Sequence, residues 1–419
     1  MLKRFPGRLR RILDLPSHRV RQAILPRAWL SRRVERRNRA ATPSSARRSL
    51  YVDVAVISNN DAGTGIQRVV RALALALARQ GPGDWDIRFV SATRMRPYYC
   101  IGWPGSVERA PAEAIRARPG DVFVGLDYSL DAIRWHRRHL AQFRRDGGAL
   151  WFLVHDLLPA QRPDWFSPNT VLRYKVWLDT LAAIADGFFC NSQQTEADLI
   201  DELRRYGLSP GDYRTCVLPM GHDITQARHH TDKDAGSHAQ IRALLGKSFF
   251  LKVGTLEPRK GHIDLIRAFE VLWSRGSDHI LALVGRLGWH VEDLRDAIVT
   301  HPEFGRRLIW LDDVDDAGLI EAFQASQGVL VGSLAEGFGL PLIEALGHSK
   351  PVLARDLPIF RAHEQYGVQY FPAEATPEIL ADRIVKWHAA IHAGEIAVRA
   401  PDAGWDESAR KLLDGISRD

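Results

Sequence analysis

Arg259 and Lys260 stand side by side in Leu251-Lys252-Val-Gly254-Thr255-Leu256-Glu257-Pro258-Arg259-Lys260-Gly261-His262, between an apolar run and a helical pattern. An arginine offers a bidentate fork and a lysine a point charge, so the pair suits a diphosphate. A solvated surface pair is the plainer alternative. A second segment, Val331-Gly-Ser-Leu-Ala-Glu336-Gly337-Phe338-Gly339-Leu-Pro341-Leu-Ile-Glu344-Ala-Leu, holds two glutamates eight positions apart. Gly337 and Gly339 let the backbone approach a ligand without side-chain obstruction, and Pro341 fits the first turn of a helix. The free N–H groups of such a turn favour a phosphate or a sugar oxygen. Carboxylates repel phosphate, so Glu336 and Glu344 are expected to accept hydrogen bonds from hydroxyls on either side of it. Hydroxyls flanking a diphosphate describe a nucleotide sugar.

Weaker signals lie elsewhere. Phe152-Leu-Val154-His155-Asp156 puts a histidine at the end of a strand, where a satisfied structural hydrogen bond is the competing account. Gly63, Thr64, Gly65 and Arg68 form a loop expected to meet an acceptor or a phosphate. Gly63 and Gly65 begin a dinucleotide fingerprint, but Arg68 occupies the place of its third glycine, which weakens a nicotinamide reading. Arg286, in Val284-Gly-Arg-Leu-Gly288, is placed to reach a nucleotide or else belongs to a structural turn. Val314, between Asp313 and Asp315, is grouped with the donor-binding residues. The two aspartates precede a helical pattern and read as caps, not metal ligands. No metal and no cofactor is expected. His222, His229, His230 and His238 have no ordered spacing, and Ser192 lacks the glycine pattern of a hydrolase nucleophile.

These residues need elements to hold them. Apolar runs at Tyr51–Ile57, Trp85–Val90, Asp121–Leu126, Leu150–Val154 and Gly187–Asn191 read as strands. Helical patterns are expected at Val69–Arg79, 108–118, 130–145 and Glu196–Arg205. A second alternation has strands at Phe249–Val253, Ile280–Val284, Arg307–Leu311, Gly328–Val331 and Pro351–Ala354, with helices at Ile263–Trp273, Leu319–Ala325 and from Trp405. Such alternation indicates α/β architecture with doubly wound parallel sheets, whose ligands sit at the carboxyl ends of the strands. The expected organisation is a basic arm at 1–49, a Rossmann-like acceptor-side domain at 50–225, and a linker at 226–240. A nucleotide-sugar-binding domain at 241–400 follows, then a helix at 401–419 packing back towards the first domain.

Size and charge agree with two domains. The 419 residues are 45% hydrophobic, and no apolar run reaches the ~20 residues of a membrane span. Asp14 and Pro16 interrupt the only early apolar stretch, so a secretory leader is not expected, and three scattered cysteines form no metal-ligand pair. A reduced, cytoplasmic protein follows. Net charge is +7, yet residues 1–50 hold 15 Lys and Arg against Asp14 and Glu35; that arm carries +13 and the remainder −6. The body is therefore no polyanion groove, and no nucleic-acid partner is expected. Leu2, Phe5, Leu9 and Ile12 recur among the basic residues, which suits an anionic membrane surface; a solvated tail suits the composition equally.

The Glu336–Glu344 segment, with its Gly-Phe-Gly turn and Pro-Leu-Ile-Glu-Ala run, resembles the retaining GT-B glycosyltransferases of the large family four, the group 1 type. The phosphate-loop stretch is similar too, although Thr255 stands where many members carry arginine. Gly-Thr-Leu-Glu-Pro-Arg-Lys instead looks like bacterial mannosyltransferases of O-antigen and exopolysaccharide assembly. The resemblance covers most of residues 51–419. It implies two Rossmann-like domains facing a cleft, with Arg259 and Lys260 on the diphosphate and Glu336 on the donor sugar. Gly337, Phe338 and Gly339 would lie nearby, Glu344 on the ribose and His155 near the donor sugar. The implied function is metal-independent transfer of a hexose, best guessed as mannose from GDP-mannose, to a glycan acceptor, lipid-linked, in lipopolysaccharide or other surface polysaccharide synthesis. The implied location is cytoplasmic and peripheral at the inner face of the membrane. A nucleotide-sugar epimerase of the same architecture and a non-catalytic nucleotide-sugar-binding protein recruited to membranes are the alternatives.

Overall fold

The computed structural model describes residues 47–80, 83–105, 113–223, 241–244, 246–289 and 291–417. Most of the basic arm and the whole 226–240 linker, with His229, His230 and His238, lie outside them. The chain forms two compact units. One comprises residues up to Leu218 together with Ala409 onwards, and the other is Pro219–Ser408.

Among the described residues the first unit holds seven strands: β1 (Arg48–Asp53), β2 (Trp85–Thr93), β3 (Arg96–Cys100), β4 (Val122–Gly125), β5 (Ala149–Val154), β6 (Gly187–Cys190) and β7 (Arg214–Val217). Their order is β3-β2-β1-β4-β5-β6-β7, parallel except for the β2–β3 hairpin. β4, β5 and β6 are buried along their full length, as parallel strands covered on both faces must be. Phe123, Leu150, Phe152, Tyr174, Trp177 and Phe188 belong to this unit's core.

The first strand lies three residues earlier than Tyr51–Ile57, so Arg48 and Ser49 belong to the sheet and not to the arm. The reason is where the backbone N–H groups go. Ser49 donates to the Asp121 carboxylate (2.8 Å), which anchors the strand's start. Ala55 donates to Asp53, and Val56 and Ile57 both donate to Asp127 (all 2.8 Å), which ends the ladder at Asp53 despite the apolar sequence. The helix expected at 108–118 is absent from its described part: residues 113–118 are irregular, and Ile115 donates to the Tyr98 carbonyl. The pattern at 130–145 is two helices, Leu130–Trp135 and Arg137–Arg145, parted at His136, whose Nε2 lies 2.6 Å from the Thr93 carbonyl oxygen.

The second unit repeats the winding with β8 (Phe249–Val253), β9 (Ile280–Val284), β10 (Leu308–Leu311), β11 (Gly328–Val331), β12 (Val352–Arg355) and β13 (Gln369–Phe371). The order is β10-β9-β8-β11-β12-β13, all parallel. The helices His262–Ser274 and Pro377–His392 cover one face, over a core that includes Phe250, Leu283, Leu330, Leu353, Phe269 and Trp387. In each sheet the order reverses beside the first strand, at β1/β4 and at β8/β11. The helices that follow such neighbours pack on opposite faces of the sheet, and the carboxyl edge between them is where ligands bind in open α/β sheets.

The ends of the second unit are sewn together. Trp405 Nε1 donates to the Asp223 carbonyl (3.0 Å), its ring lies against Gly221, and Ser408 Oγ donates to the Pro219 carbonyl. The helix that begins at Trp405 runs to Ser417.

Candidate active site

The loops leaving β8 and β11 meet at the β8/β11 reversal. After β8 the chain passes Glu257 into a short 3-10 turn, Pro258–Lys260, and reaches the helix His262–Ser274 through Gly261. Gly261 has φ 65°, and a Cβ there would overlap the Gly332 carbonyl just beyond β11. Only glycine permits that approach. Leu334 N–H donates to the Arg259 carbonyl (2.8 Å), which ties the two loops directly. The second loop enters the helix Leu340–Gly347 through Gly339 (φ 94°), with Pro341 in the first turn.

Four charges close on one another there. Arg259 donates from Nη1 to Glu336 (3.0 Å) and from Nε to Glu257 (2.9 Å). Lys260 Nζ donates to the other Glu336 oxygen (2.6 Å), which also accepts from Ser333 Oγ (2.7 Å). The four side chains are between 6% and 14% exposed, dry enough for these pairs to be strong. Burial alone would raise the Glu336 pKa. Lys260 and Arg259, with the hydrogen bonds of Lys260 and Ser333, overcome it and hold the group at about 2. For Glu257 burial prevails over the two cations, and its pKa is raised. Glu336 thus stays ionised and bridges the two cations.

The remaining candidates are distributed as follows. Phe338 stacks edge-on against His363 (5.3 Å), between Gly337 and Gly339. Glu344 is buried in the helix Leu340–Gly347, at 2% exposure. Arg286 is exposed and donates to Asp313 (2.6 Å), which joins the loop after β9 to the loop that carries Val314. Asp315 accepts from Gly318 N–H and caps the helix Asp316–Ala325.

His155 and the glycine loop belong to the first unit. His155 follows β5, is buried, and its Nε2 lies 3.2 Å from the Leu126 carbonyl oxygen; burial lowers its pKa to about 4, so the ring is neutral. Thr64 caps the helix Gly65–Arg79, in a capping box with Gln67. Gly63 precedes it with φ 67°, and Arg68 lies in the first turn. Beneath this loop Tyr98 donates to Asp53 (3.0 Å). Burial, with Asp127 adding to it, raises the Asp53 pKa to about 7; burial raises that of Asp127 to about 6 against its three backbone donors.

Three residues of the second-unit site had no assigned role in the sequence: Glu257, Ser333 and Lys252. Lys252 lies on β8 at 2% exposure. The available signal was its charge, alone within Phe249–Val253.

Residues 236–389 match the family described as glycosyl transferases group 1. The chain is 32% identical over 382 residues to the serotype-specific mannosyltransferase WbdA of Escherichia coli. That match covers 88% of this chain and 46% of the relative, so the chain spans about half the length of the curated relatives it matches. Among solved structures, sucrose-phosphate synthase from Thermosynechococcus elongatus superposes with TM-score 0.56 at 19% identity, over 88% of this chain and 95% of that one. Anabaena HepE, in complex with UDP and glucose, gives 0.54 at 17% over the same shares. The fold is GT-B, with two Rossmann-like units, as in these structures. Within the second unit, residues 236–389 form a glycosyl transferases group 1 domain.

Proposed function

We propose that the chain transfers mannose from GDP-mannose to a hydroxyl of a lipid-linked glycan, with retained anomeric configuration, in surface polysaccharide synthesis. The observation that carries this reading is the Arg259–Lys260–Glu336 cluster at the β8/β11 carboxyl edge. As the glycosidic bond stretches, negative charge develops on the departing diphosphate. Arg259 and Lys260 take that charge in exchange for their own carboxylate, without a metal ion. Glu336, released from one or both cations, then faces the sugar hydroxyls. A diphosphate leaves without protonation, and its freed oxygen accepts the acceptor proton on the same face. No second carboxylate acid is required, unlike glycoside hydrolysis. Similarity to the mannosyltransferase WbdA supports mannose as the sugar.

The test is a thermal-shift screen of GDP-mannose, UDP-glucose and ADP-glucose, followed by incubation of the tightest donor with membrane lipids. A donor at a hundredfold its dissociation constant adds ~2.7 kcal/mol of stability. Stabilisation by GDP-mannose and labelled mannose in the lipid fraction are the expected outcomes. Stabilisation by none of the three would overturn the reading. So would an epimerised donor in the absence of acceptor.

A further inference from the structure

One row of side chains across the second sheet has a member out of character. The register pairs Lys252 with Leu283 on β9, sets Leu330 beside it on β11 and pairs Leu330 with Leu353 on β12. The three leucines belong to the unit's core, and Lys252 is as deeply buried as the core around it. It stands one pleat behind Gly254, where an added Cβ would lie 3.9 Å from Lys260 Cδ, in ordinary van der Waals contact.

Charge counting makes the position informative. Arg259 and Lys260 are balanced by Glu257 and Glu336, and Arg355 by Asp264 at 2.6 Å. Lys252 has no carboxylate paired with it among the described residues. The groups acting on it are Lys260 and Arg259 from the loop after β8, Glu336 from the loop after β11, and Arg355 from β12. His262, at the start of the covering helix, also feels Lys252 and is held neutral, first by burial. Leu283 and Leu330 flank Lys252 with nothing ionisable. Burial, then the repulsion of Lys260, lowers the Lys252 pKa to about 7 against the pull of Glu336. A nucleotide-sugar diphosphate introduces two negative charges beside this group and reverses that balance.

We propose that Lys252 is a third cation of the donor site, a positioning residue behind Arg259 and Lys260, and that a nucleotide-sugar diphosphate carries one proton onto it on binding. The inference rests on the donor reading given above. The step is acid–base only: the neutral amine takes one proton from solvent and becomes the ammonium. Lys252 then holds the diphosphate end of the site electrically neutral while Glu336 turns from the cations to the sugar. Between pH 7.5 and 8.5 the donor's diphosphate supplies no competing titration, since it lacks the terminal phosphate group that titrates at ~6.

The experiment is calorimetric titration of the full chain with GDP-mannose from pH 6.5 to 9, in buffers of different ionisation enthalpy. Wild type, Lys252→Met and Lys252→Arg are compared; methionine suits the leucine row, and arginine keeps a permanent charge. In the wild type the dissociation constant should rise roughly five- to tenfold between pH 7.5 and 8.5, with close to one proton taken up per donor. The methionine variant should bind more weakly at pH 6.5 and show no slope. The arginine variant should bind tightly, also without slope. A purely structural lysine would leave all three slopes alike, and that result overturns the proposal alone. Failure of GDP-mannose to bind the wild type at any pH overturns the donor reading and this proposal with it.

Discussion

Arg259 is gripped at two separate nitrogens, Nε by Glu257 and Nη1 by Glu336, so its fork is aimed before any ligand arrives. Preorganisation of this kind is what gives a charge-assisted hydrogen bond its full effect in a transition state. Arg259→Ala is therefore expected to lower kcat/KM for the proposed sugar transfer by roughly ten- to a hundredfold, the equivalent of ~1.5–3 kcal/mol. An unchanged rate would remove Arg259 from the leaving-group role. Arg259, Lys260, Glu336 and Glu344 could be singled out in the sequence because each sits in a short run of glycine, proline and charge. Glu257 and Ser333 lie in the same runs but read as ordinary loop residues. Each pairs within its own loop, Glu257 with Arg259 and Ser333 with Glu336, through side-chain geometry that spacing does not encode. Lys252 was harder still, since only the register of four strands reveals that its neighbours are leucines.

The β8 and β11 loops pack so closely that one residue decides their spacing. Gly261→Ala would force an L side chain to φ 65° and push it onto the Gly332 carbonyl. The variant should lose more than about 1 kcal/mol of stability, read as a lower urea midpoint with an unchanged slope. A midpoint equal to wild type would mean that the two loops spread freely. Elements were legible where local sequence and tertiary demand agree: Phe249–Val253, Ile280–Val284 and Gly328–Val331 have the bounds expected of apolar runs. Val54–Ile57 is as apolar but is not strand, because the Asp127 carboxylate captures two of its amides from seventy positions away. β3, with a proline and an arginine in five residues, and β7, with its partly exposed side chains, gave no pattern to follow.

Acid should separate the two units. In the second, His363 and His388 are lowered to about 4 chiefly by burial, and His262, His279 and His348 are lowered as well. A histidine with a depressed folded pKa binds more protons when unfolded, so its stability contribution is lost as pH falls from about 6.5 towards 4. Glu336, held at about 2, adds a further loss from about 4.5 downwards. Glu257, raised by burial, opposes this in the second unit; in the first, His155 and His139 follow the same sign, but Asp53 and Asp127, raised to about 7 and 6, bind protons more tightly when folded and oppose it. Hydrogen exchange between pH 6.5 and 4, corrected for intrinsic rates, should show β8 and β11 amides losing protection before those of β1 and β4. Loss in the reverse order would overturn this balance of charges. The stitching of Trp405 to Asp223 and of Ser408 to Pro219 has a different kind of consequence. A segment whose entrance and exit lie one hydrogen bond apart behaves as a cassette, and such insertions are readily exchanged. Residues 219–408 are therefore open to transplantation through one seam, and the proposed donor preference is expected to travel with them.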